Sequence, residues 1–268
     1  MRGVYEFTTA ESKTALLVDS PHSGRMYPDD FTHICSDLDM HAAEDRYVDL
    51  LLENTPHHGA DLLCATFPRS YIDVNRAEDD IDPLLISEPW PYDYAPSQRA
   101  RNGIGLIRRL LRKDMPLYDE PLSITAIQNR IEQYYRPYHE KIETVLKDKK
   151  KTFDHAYFIN MHSMPSSVTN HDFVLGTRHQ KSCGPDFSDV IAQSLMDMGY
   201  KIVFNAPYQG AEIIQRYGQP FENIHAIQIE INKGLYLNEA TQEKSKNFDV
   251  LKKDLEKLIH EVAEWTAT

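Results

Sequence analysis

The chain has 268 residues, of which 41% are hydrophobic and 26% are charged, and its formal net charge is −12 at pH 7. This length suits one large domain or two small ones, and the composition is typical of a soluble globular protein. The acidic balance argues against nucleic acid or an anionic membrane as the main partner.

The N-terminal residues and the cysteines favour a cytoplasmic protein. No apolar signal-peptide region follows Met1 and Arg2, and no apolar run approaches the length of a membrane span. Cys35, Cys64 and Cys183 are far apart and lack CxxC spacing. They fit reduced thiols better than a disulfide framework, and they are poor candidates for metal ligands.

Apolar runs bounded by turn residues predict strands, and apolar residues at helical spacing predict helices. Strands are expected at 14–19, 61–67, 70–74, 156–161, 172–176, 201–205 and 225–232. Helices are expected at 40–54, 123–149, 187–198 and 239–265. The alternation of strands and helices indicates an α/β fold with a largely parallel, buried central sheet.

Residues 77–122 interrupt this alternation, and we refer to them as the proline-rich excursion. The prolines that break the periodicity are Pro83, Pro89, Pro91, Pro96, Pro116 and Pro121. We expect this segment to cross over the sheet as a lid or an interface. It would then be part of a single domain covering residues 1–268 and not a domain of its own.

Two histidines follow apolar, strand-like runs. His22 comes after the run in LLVDSPHSGR, and His162 comes at the end of the run in AYFINMHS. In α/β sheets, ligands bind beyond the carboxyl ends of the strands. A catalytic zinc ion takes three protein ligands and keeps a fourth position open for water. The sequence therefore predicts a metal site on these two imidazoles.

The third metal ligand should be a carboxylate or another histidine. The predicted helix that contains HAAEDRYVDLLL offers Glu44, Asp45 and Asp49 near its start. Asp45 and Asp49 are expected to lie one turn apart on the same helix face.

A second cluster of polar residues lies in FPRSYIDVNR, around the short strand expected at 70–74. Asn75 and Arg76 together can bind a carboxylate, because guanidinium offers a bidentate fork and the amide adds a donor. Arg69 lies in the same stretch. The alternative, left open by the sequence, is a surface salt bridge to the acidic residues at 78–80.

Three further charged residues follow or interrupt predicted strands. Arg178 and Arg216 come after strands and could meet a second acidic group of a substrate. Glu230 lies inside the apolar run HAIQIEINKGLY, where a charge is costly without a partner. A partly buried carboxylate has a raised pKa and can act as a general base beside a metal-bound water. The alternative is a glutamate neutralised by a neighbouring arginine.

Seven segments of the chain together resemble the N-formylglutamate amidohydrolase (formylglutamate deformylase) family. They are SPHSGRMYP, EDRYVDLL, PRSYIDVNR, INMHSMPSS, LGTRHQKSCGPDF, NAPYQGAEIIQRYG and IQIEINKGLY, in this order between about residues 14 and 240. The resemblance implies a mixed, mostly parallel eight-stranded sheet flanked by helices. This fold is similar to that of the zinc carboxypeptidases and the aspartoacylase-like deacylases, a phosphorylase/hydrolase-like architecture.

The resemblance also implies one Zn²⁺ ion on His22, His162 and a carboxylate. The carboxypeptidases use a His-x-x-Glu motif, but Arg25 stands three residues after His22 in this chain. The acidic ligand must therefore come from elsewhere. The context D-x-x-V-D favours Asp45, with Glu44 as the alternative.

The remaining roles follow from the same resemblance. It implies Asn75 and Arg76 as the clamp for the α-carboxylate of the substrate, Arg69 on the oxyanion side and Glu230 as the general base. Independently of the resemblance, Arg178 or Arg216 is expected to bind a side-chain carboxylate of the substrate.

The activity implied is metal-dependent hydrolysis of a linear amide, that of N-formyl-L-glutamate, to formate and L-glutamate, a reaction of histidine degradation. The partner would be a small-molecule N-acyl amino acid, without nucleic acid or membrane, and a homo-oligomer is left open. The alternatives are another carboxypeptidase-like metallohydrolase and a non-catalytic binding protein on the same fold. A serine hydrolase is disfavoured, because Ser23 and Ser163 lack a Gly-x-Ser-x-Gly elbow. Mn²⁺ and Fe²⁺ remain alternatives to zinc.

Overall fold

The computed structural model describes residues 3–92 and 94–267 of the chain. The strands are β1 (Tyr5–Thr8), β2 (Leu16–Ser20), β3 (Asp61–Ala65), β4 (Leu110–Arg112), β5 (Met115–Pro116), β6 (Ala156–Met164), β7 (Phe173–Gly176), β8 (Ile202–Phe204), β9 (Ile224–Asn232), β10 (Leu237–Asn238) and β11 (Glu243–Lys244). The α-helices are α1 (Asp37–Ala43), α2 (Val48–Leu51), α3 (Gln98–Arg101), α4 (Ile124–Arg130), α5 (Arg136–Phe153), α6 (Pro185–Asp197), α7 (Glu212–Tyr217) and α8 (Phe248–Thr266). A π-helical segment, Ile131–Tyr135, joins α4 to α5.

The central sheet of the described residues has seven strands in the order β1-β3-β2-β6-β9-β7-β8. Its middle strands β3, β2, β6 and β9 are parallel to one another. β1 pairs antiparallel with β3, and β7 pairs antiparallel with β9 while it runs parallel to β8. The predicted α/β class with a mixed, mostly parallel sheet is confirmed. The count of strands is seven within residues 3–92 and 94–267, where the resemblance implied eight.

Helices cover both faces of this sheet. In β2, Leu17 packs into the cluster that contains residues of α4 and α5, whereas Leu16 and Val18 pack into the cluster with α6 and α8. Burial on both faces accounts for the continuous apolar runs of the central strands. Among the described residues, no helix combines the length and apolar character needed to cross a membrane.

The parallel order brings chemically important residues to one edge of the sheet. β2, β6 and β9 are neighbours, and their carboxyl ends point the same way. His162 lies in β6 directly opposite Glu230 of β9, and His22 lies two residues beyond the end of β2. The sheet therefore places the two histidines and the glutamate beside each other.

The predicted helix at 40–54 is wrong in its middle. Helix α1 ends at Ala43 and α2 begins at Val48, while Tyr47 adopts a left-handed conformation with φ of 66°. Asp45 lies in this break, where its amide donates to the carbonyl of His22 at 3.1 Å. Ser23 Oγ donates to the carbonyl of Asp45 at 2.9 Å. Because these tertiary bonds replace helical ones, Asp45 and Asp49 do not share a helix face as predicted.

The strand predicted at 70–74 is also wrong. These residues form turns after β3, although Ile72 and Val74 are fully buried. Backbone N–H groups of this segment form hydrogen bonds within the turn and with the proline-rich excursion. Tyr71 N donates to Pro68 O at 3.0 Å, and Asp73 N donates to Leu106 O at 2.7 Å. An apolar run without a neighbouring strand does not become a strand.

Other predicted elements differ at their ends, and one strand was missed. β6 continues to Met164, so that His162 lies inside the strand and not beyond it. The helix expected at 239–265 begins at Phe248, because β11 precedes it. β1 was not predicted, since it has four residues that alternate between half-buried and exposed.

The proline-rich excursion contains a 3₁₀ turn at Pro83–Leu85, helix α3 and the β4–β5 hairpin. Its apolar residues Leu106, Ile107 and Leu111 are buried in the same cluster as α4 and α5. Asp93 lies outside the described residues. The role of this segment as a lid or an interface stays a prediction.

Candidate metal centre and active site

Three buried side chains meet at the carboxyl edge of the sheet, and we call them the His–Asp–His cluster: His22, Asp45 and His162. Asp45 Oδ2 lies 3.3 Å from His22 Nδ1 and 2.9 Å from His162 Nδ1. One ligand atom from each of the three residues lies within 4.8 Å of the others. The ring centroids of the two histidines are 4.6 Å apart. Residues distant in the sequence thus converge on one point.

The second nitrogen of each imidazole contacts a polar side chain behind the cluster. His22 Nε2 lies 2.7 Å from Asp73 Oδ1, and His162 Nε2 lies 2.8 Å from Asn160 Oδ1. A carboxylate or amide oxygen can only accept a hydrogen bond. The tautomer that donates to these oxygens from Nε2 leaves both Nδ1 lone pairs directed at Asp45. This is how metal-binding histidines are usually oriented.

The cluster fits a divalent cation. Two ligands that each lie ~2.0–2.1 Å from a tetrahedral ion are separated by roughly 3.3 Å, which resembles the distances around Asp45 Oδ2. His22 Nδ1 is buried and has no hydrogen-bond partner among the described residues. With two lone pairs and a carboxylate facing one another, a cation among them would relieve the repulsion. Two nitrogens and one oxygen form a donor set that zinc accepts.

The electrostatic surroundings keep the Asp45 carboxyl in its charged form. Burial opposes ionisation, but hydrogen bonds from the Nδ1 atoms of His162 and His22, formed when these nitrogens carry a proton and no cation is bound, and the charge of Arg69 outweigh it. They hold the pKa of Asp45 well below its ordinary value. An ionised carboxylate is the form that binds a metal.

The structure brings Asp45, and not Glu44, to the two histidines. Glu44 Oε1 accepts a hydrogen bond from Tyr27 Oη at 2.5 Å, and burial raises the pKa of Glu44 to about 7. The other acidic residue of this stretch, Asp49, forms a salt bridge with Arg25 at 2.6 Å. Neither of them belongs to the group of residues whose atoms could hold a metal ion.

Arg69 lies between two carboxylates of the site. Its Nη2 donates to Asp73 Oδ2 at 2.8 Å, and its Nη1 lies 3.6 Å from Asp45 Oδ1. Burial favours the neutral guanidine, but the charges of Asp73 and Asp45 outweigh it and raise the pKa of Arg69. The guanidinium is therefore held as a cation beside the cluster.

Asn75 and Arg76 occupy different environments. Asn75 Oδ1 accepts from Ile213 N at 2.9 Å, and its Nδ2 donates to Gln228 Oε1 at 3.2 Å and lies 3.0 Å from His162 Nε2. Arg76 Nη1 donates to the carbonyl of Asn75 at 2.8 Å. The side-chain amide thus has internal partners, whereas within the described chain the guanidinium has no ion pair.

Glu230 is buried in β9 beside His162. Gln228 Nε2 donates to Glu230 Oε1 at 2.8 Å. Burial raises the pKa of Glu230 to about 7, against the opposing effect of His162. A carboxyl with this pKa can accept and return a proton near neutral pH.

These residues border one cavity of about 1650 Å³, which we call the site cavity. Its wall contains the His–Asp–His cluster together with Arg69, Asn75, Arg76, Arg178 and Glu230. Arg216 lies elsewhere, although the sequence suggested it as a substrate-binding residue. It pairs with Glu212 at 2.9 Å and borders a separate pocket of about 470 Å³.

Sequence reasoning gave no role to three residues of this region, Asp73, Asn160 and Arg108. Asn160 precedes His162 by two positions and so points to the same side of the strand, which is a readable signal. Asp73 is a lone acid in an apolar run, which also suggests a buried partner. Arg108 comes from the proline-rich excursion, and no local pattern distinguishes it from its neighbour Arg109.

Comparison with known proteins places the chain among enzymes that hydrolyse linear amides. The model of the N-formylglutamate amidohydrolase family matches residues 14–237. The chain belongs to this family, as the segments in the sequence suggested. The non-catalytic alternative is thereby disfavoured.

Alignments with individual relatives cover most of the chain. It is 28% identical over 250 residues to an N-formylglutamate deformylase of Pseudomonas putida, covering 86% of this chain and 84% of that protein. It is 29% identical over 237 residues to an N-formylglutamate deformylase of Pseudomonas aeruginosa, covering 85% and 84%. The crystal structure of an N-formylglutamate amidohydrolase from Ralstonia eutropha superposes with a TM-score of 0.95 at 37% identity, covering 99% of both chains.

Proposed function

We propose that the protein is a zinc-dependent amidohydrolase that converts N-formyl-L-glutamate and water to formate and L-glutamate. The observation that carries this proposal is the approach of His22 Nδ1 and His162 Nδ1 to Asp45 Oδ2, at 3.3 and 2.9 Å. The names of the relatives from the two Pseudomonas species supply the substrate.

His22, Asp45 and His162 would hold a single zinc ion. When bound, zinc lowers the pKa of a water toward ~7 and polarises the acyl oxygen. Glu44 is the less favoured third ligand, because its carboxyl is engaged by Tyr27. The cluster borders the site cavity, so a substrate amide can reach it.

Glu230 would be the general base and then the general acid. Its raised pKa lets it take a proton from the attacking water as the oxygen bonds to the formyl carbon. It returns this proton to the amide nitrogen as the C–N bond breaks, which releases the amine of glutamate. Gln228 orients the carboxyl through its hydrogen bond to Oε1.

Two arginines would stabilise the charges of the reacting substrate. Arg69 is a fixed cation at the cluster and would stabilise the oxyanion that forms on the formyl oxygen. Arg76 would bind the α-carboxylate with its unpaired guanidinium. Asn75 holds Arg76 in position through its backbone carbonyl and lies against His162 with its amide.

A deacylase for longer N-acyl amino acids is the second candidate function. The site cavity of about 1650 Å³ exceeds the ~300–1,000 Å³ that is typical of small-molecule sites. An acyl group longer than formyl therefore has room.

Metal analysis coupled to a hydrolysis screen tests the proposal. The purified protein should bind one zinc ion per chain and release formate from N-formyl-L-glutamate faster than acid from N-acetyl- or N-hexanoyl-L-glutamate. H22A and H162A should lose both the zinc and the activity. Preferential hydrolysis of the hexanoyl substrate would support the second candidate, and full activity without any bound metal would contradict the proposal. The cytoplasmic location, the oligomeric state and the place in histidine degradation remain predictions.

A further inference from the structure

Arg108 reaches the site cavity from the proline-rich excursion, and the backbone fixes its position there. The loop before it is bonded to both ends of the stretch that carries Arg76, since Asp73 N donates to Leu106 O at 2.7 Å and Leu106 N to Asp80 O at 2.8 Å. A Cβ atom on Gly105 would lie 2.4 Å from Asp80 O. The loop therefore approaches this stretch as closely as a glycine permits.

The half-buried side chain of Arg108 leaves its guanidinium with few protein partners. Its Nη1 donates to the carbonyl of Leu111 at 3.1 Å, but its buried Nε has no acceptor in the described part of the chain. No carboxylate of the described residues forms a salt bridge with it. Burial and then the neighbouring charge of Arg69 lower the pKa of Arg108 to about 9. A cation that is partly removed from water and has no counter-charge is unfavourable, and an anionic ligand would relieve this.

Arg76 lies next to Arg108, and it likewise forms no salt bridge with a carboxylate of the described residues. Arg76 Nε donates to the carbonyl of Ile104 at 3.4 Å, and Ile104 pairs with Arg108 in an isolated β-bridge. Two other arginines nearby are neutralised, because Arg69 pairs with Asp73 and Arg109 pairs with Asp82 at 2.6 Å. The cavity thus presents two adjoining guanidinium groups, those of Arg76 and Arg108, without a salt bridge to a described carboxylate. Arg99, Arg101 and Arg178 on its wall also lack one, but Arg99 and Arg101 are exposed, and none of the three has a buried side-chain atom without a partner among the described residues.

We propose that Arg108 binds the side-chain carboxylate of an acidic N-acyl amino acid, while Arg76 binds its α-carboxylate. These two adjoining cations beside the His–Asp–His cluster, which form no salt bridge with any described residue, match the two carboxylates of such a substrate. The inference rests on the proposed function and assigns its specificity for an acidic side chain to a residue of the proline-rich excursion. It takes this role away from Arg178, the other cavity arginine to which the sequence gave it.

The test compares N-formyl-L-glutamate with N-formyl-L-glutamine, which has the same length and no side-chain charge. R108M should lower kcat/KM for the glutamate substrate by at least ~10-fold, the effect of losing a charge-assisted hydrogen bond, and change the glutamine substrate by less than ~3-fold. R178M should leave the ratio of the two kcat/KM values unaltered. R136M is the matched control, because Arg136 is 51% exposed, pairs with Glu78 and does not border the site cavity.

Equal losses on both substrates in R108M, an unchanged preference in R108M, or loss of the preference in R178M would each overturn the inference. Circular dichroism and zinc content show whether R108M is folded. If it is not, glutarate and butyrate are compared as competitive inhibitors of the wild-type protein. Glutarate should then bind at least ~10-fold more tightly, and equal binding overturns the inference.

Failure of the proposed function is a separate outcome of the same experiment. It would appear as zinc-loaded wild-type protein that does not hydrolyse N-formyl-L-glutamate. In that case calorimetric binding of glutarate to wild type and to R108M still decides the role of Arg108, because binding needs no turnover.

Discussion

His22 Nε2 and Asp73 Oδ1 lie 2.7 Å apart, and this contact determines which nitrogen of His22 faces Asp45. The carboxylate accepts a hydrogen bond from the protonated Nε2, so in the neutral imidazole Nδ1 carries the lone pair. Asp73 also pairs with Arg69 at 2.8 Å and is buried. Burial alone would raise the pKa of Asp73, but the charge of Arg69 and the contact with His22 hold it well below the ordinary value. One residue thus orients the imidazole that we propose as a metal ligand and holds the adjacent cation in place.

Replacing Asp73 should weaken metal binding without removing a ligand. D73A deletes the acceptor for His22 Nε2, and loss of such a partner typically lowers metal affinity by ~10–100-fold. Competition with a chelator of known zinc affinity measures the change. D79A is the matched control, because Asp79 is a nearby exposed acid. Equal zinc affinity of D73A and the wild type would contradict the assignment.

Behind His162, a chain of hydrogen bonds runs into the core. Asn160 Nδ2 donates to Asp19 Oδ1 at 2.6 Å, and Tyr138 Oη donates to Asp19 Oδ2 at 2.9 Å. Asp19 and Asn160 are cross-strand partners in β2 and β6. Burial raises the pKa of Asp19 to about 7 from 3.8.

This shift predicts a pH dependence of the free energy of unfolding. The folded pKa exceeds the unfolded pKa, so the stabilisation is complete below about pH 4 and is lost as the pH rises toward 7. D19N removes the titration. Between pH 4 and pH 7, the free energy of unfolding of the wild type should therefore fall relative to that of D19N, by on the order of 2–4 kcal/mol. Denaturant unfolding at both pH values measures it, and a constant difference would refute the role of Asp19.

Replacing Glu230 should separate catalysis from metal binding. E230Q keeps the shape of the side chain and loses the proton acceptor, so kcat should fall by at least ~10²-fold while zinc content stays unchanged. Steady-state kinetics and metal analysis on the same sample measure both. E243Q serves as the control, because Glu243 lies on the exposed β11. Near-normal turnover of E230Q would eliminate Glu230 as the base.

The position of Arg216 predicts little effect of its replacement. R216M removes a cation that pairs with Glu212 and lies outside the site cavity. Its kcat/KM for N-formyl-L-glutamate should change by less than ~3-fold, as is usual for substitutions away from a functional site. A steep rise in KM would show that α7 contributes to substrate binding after all.

Strand-end histidines and a glutamate in an apolar run were readable from the sequence, because parallel strands bring their carboxyl ends to one edge. The topology then places His162 opposite Glu230. Local sequence patterns gave wrong predictions where long-range contacts determine the backbone conformation. The helical periodicity around Asp45 is overridden by hydrogen bonds to residues 22 and 23. The unpaired state of Arg108 depends on the packing of a loop without periodicity, which no sequence pattern encodes.

Anomalous X-ray diffraction from crystals of the zinc-loaded protein, recorded at the zinc absorption edge, locates the metal without reference to activity. We expect one peak bonded to His22 Nδ1, His162 Nδ1 and an Asp45 oxygen, at ~2.0–2.2 Å from each atom. A peak at other residues, a peak on the Nε2 atoms, or no peak at this cluster would contradict the assignment of His22, Asp45 and His162 as the metal centre.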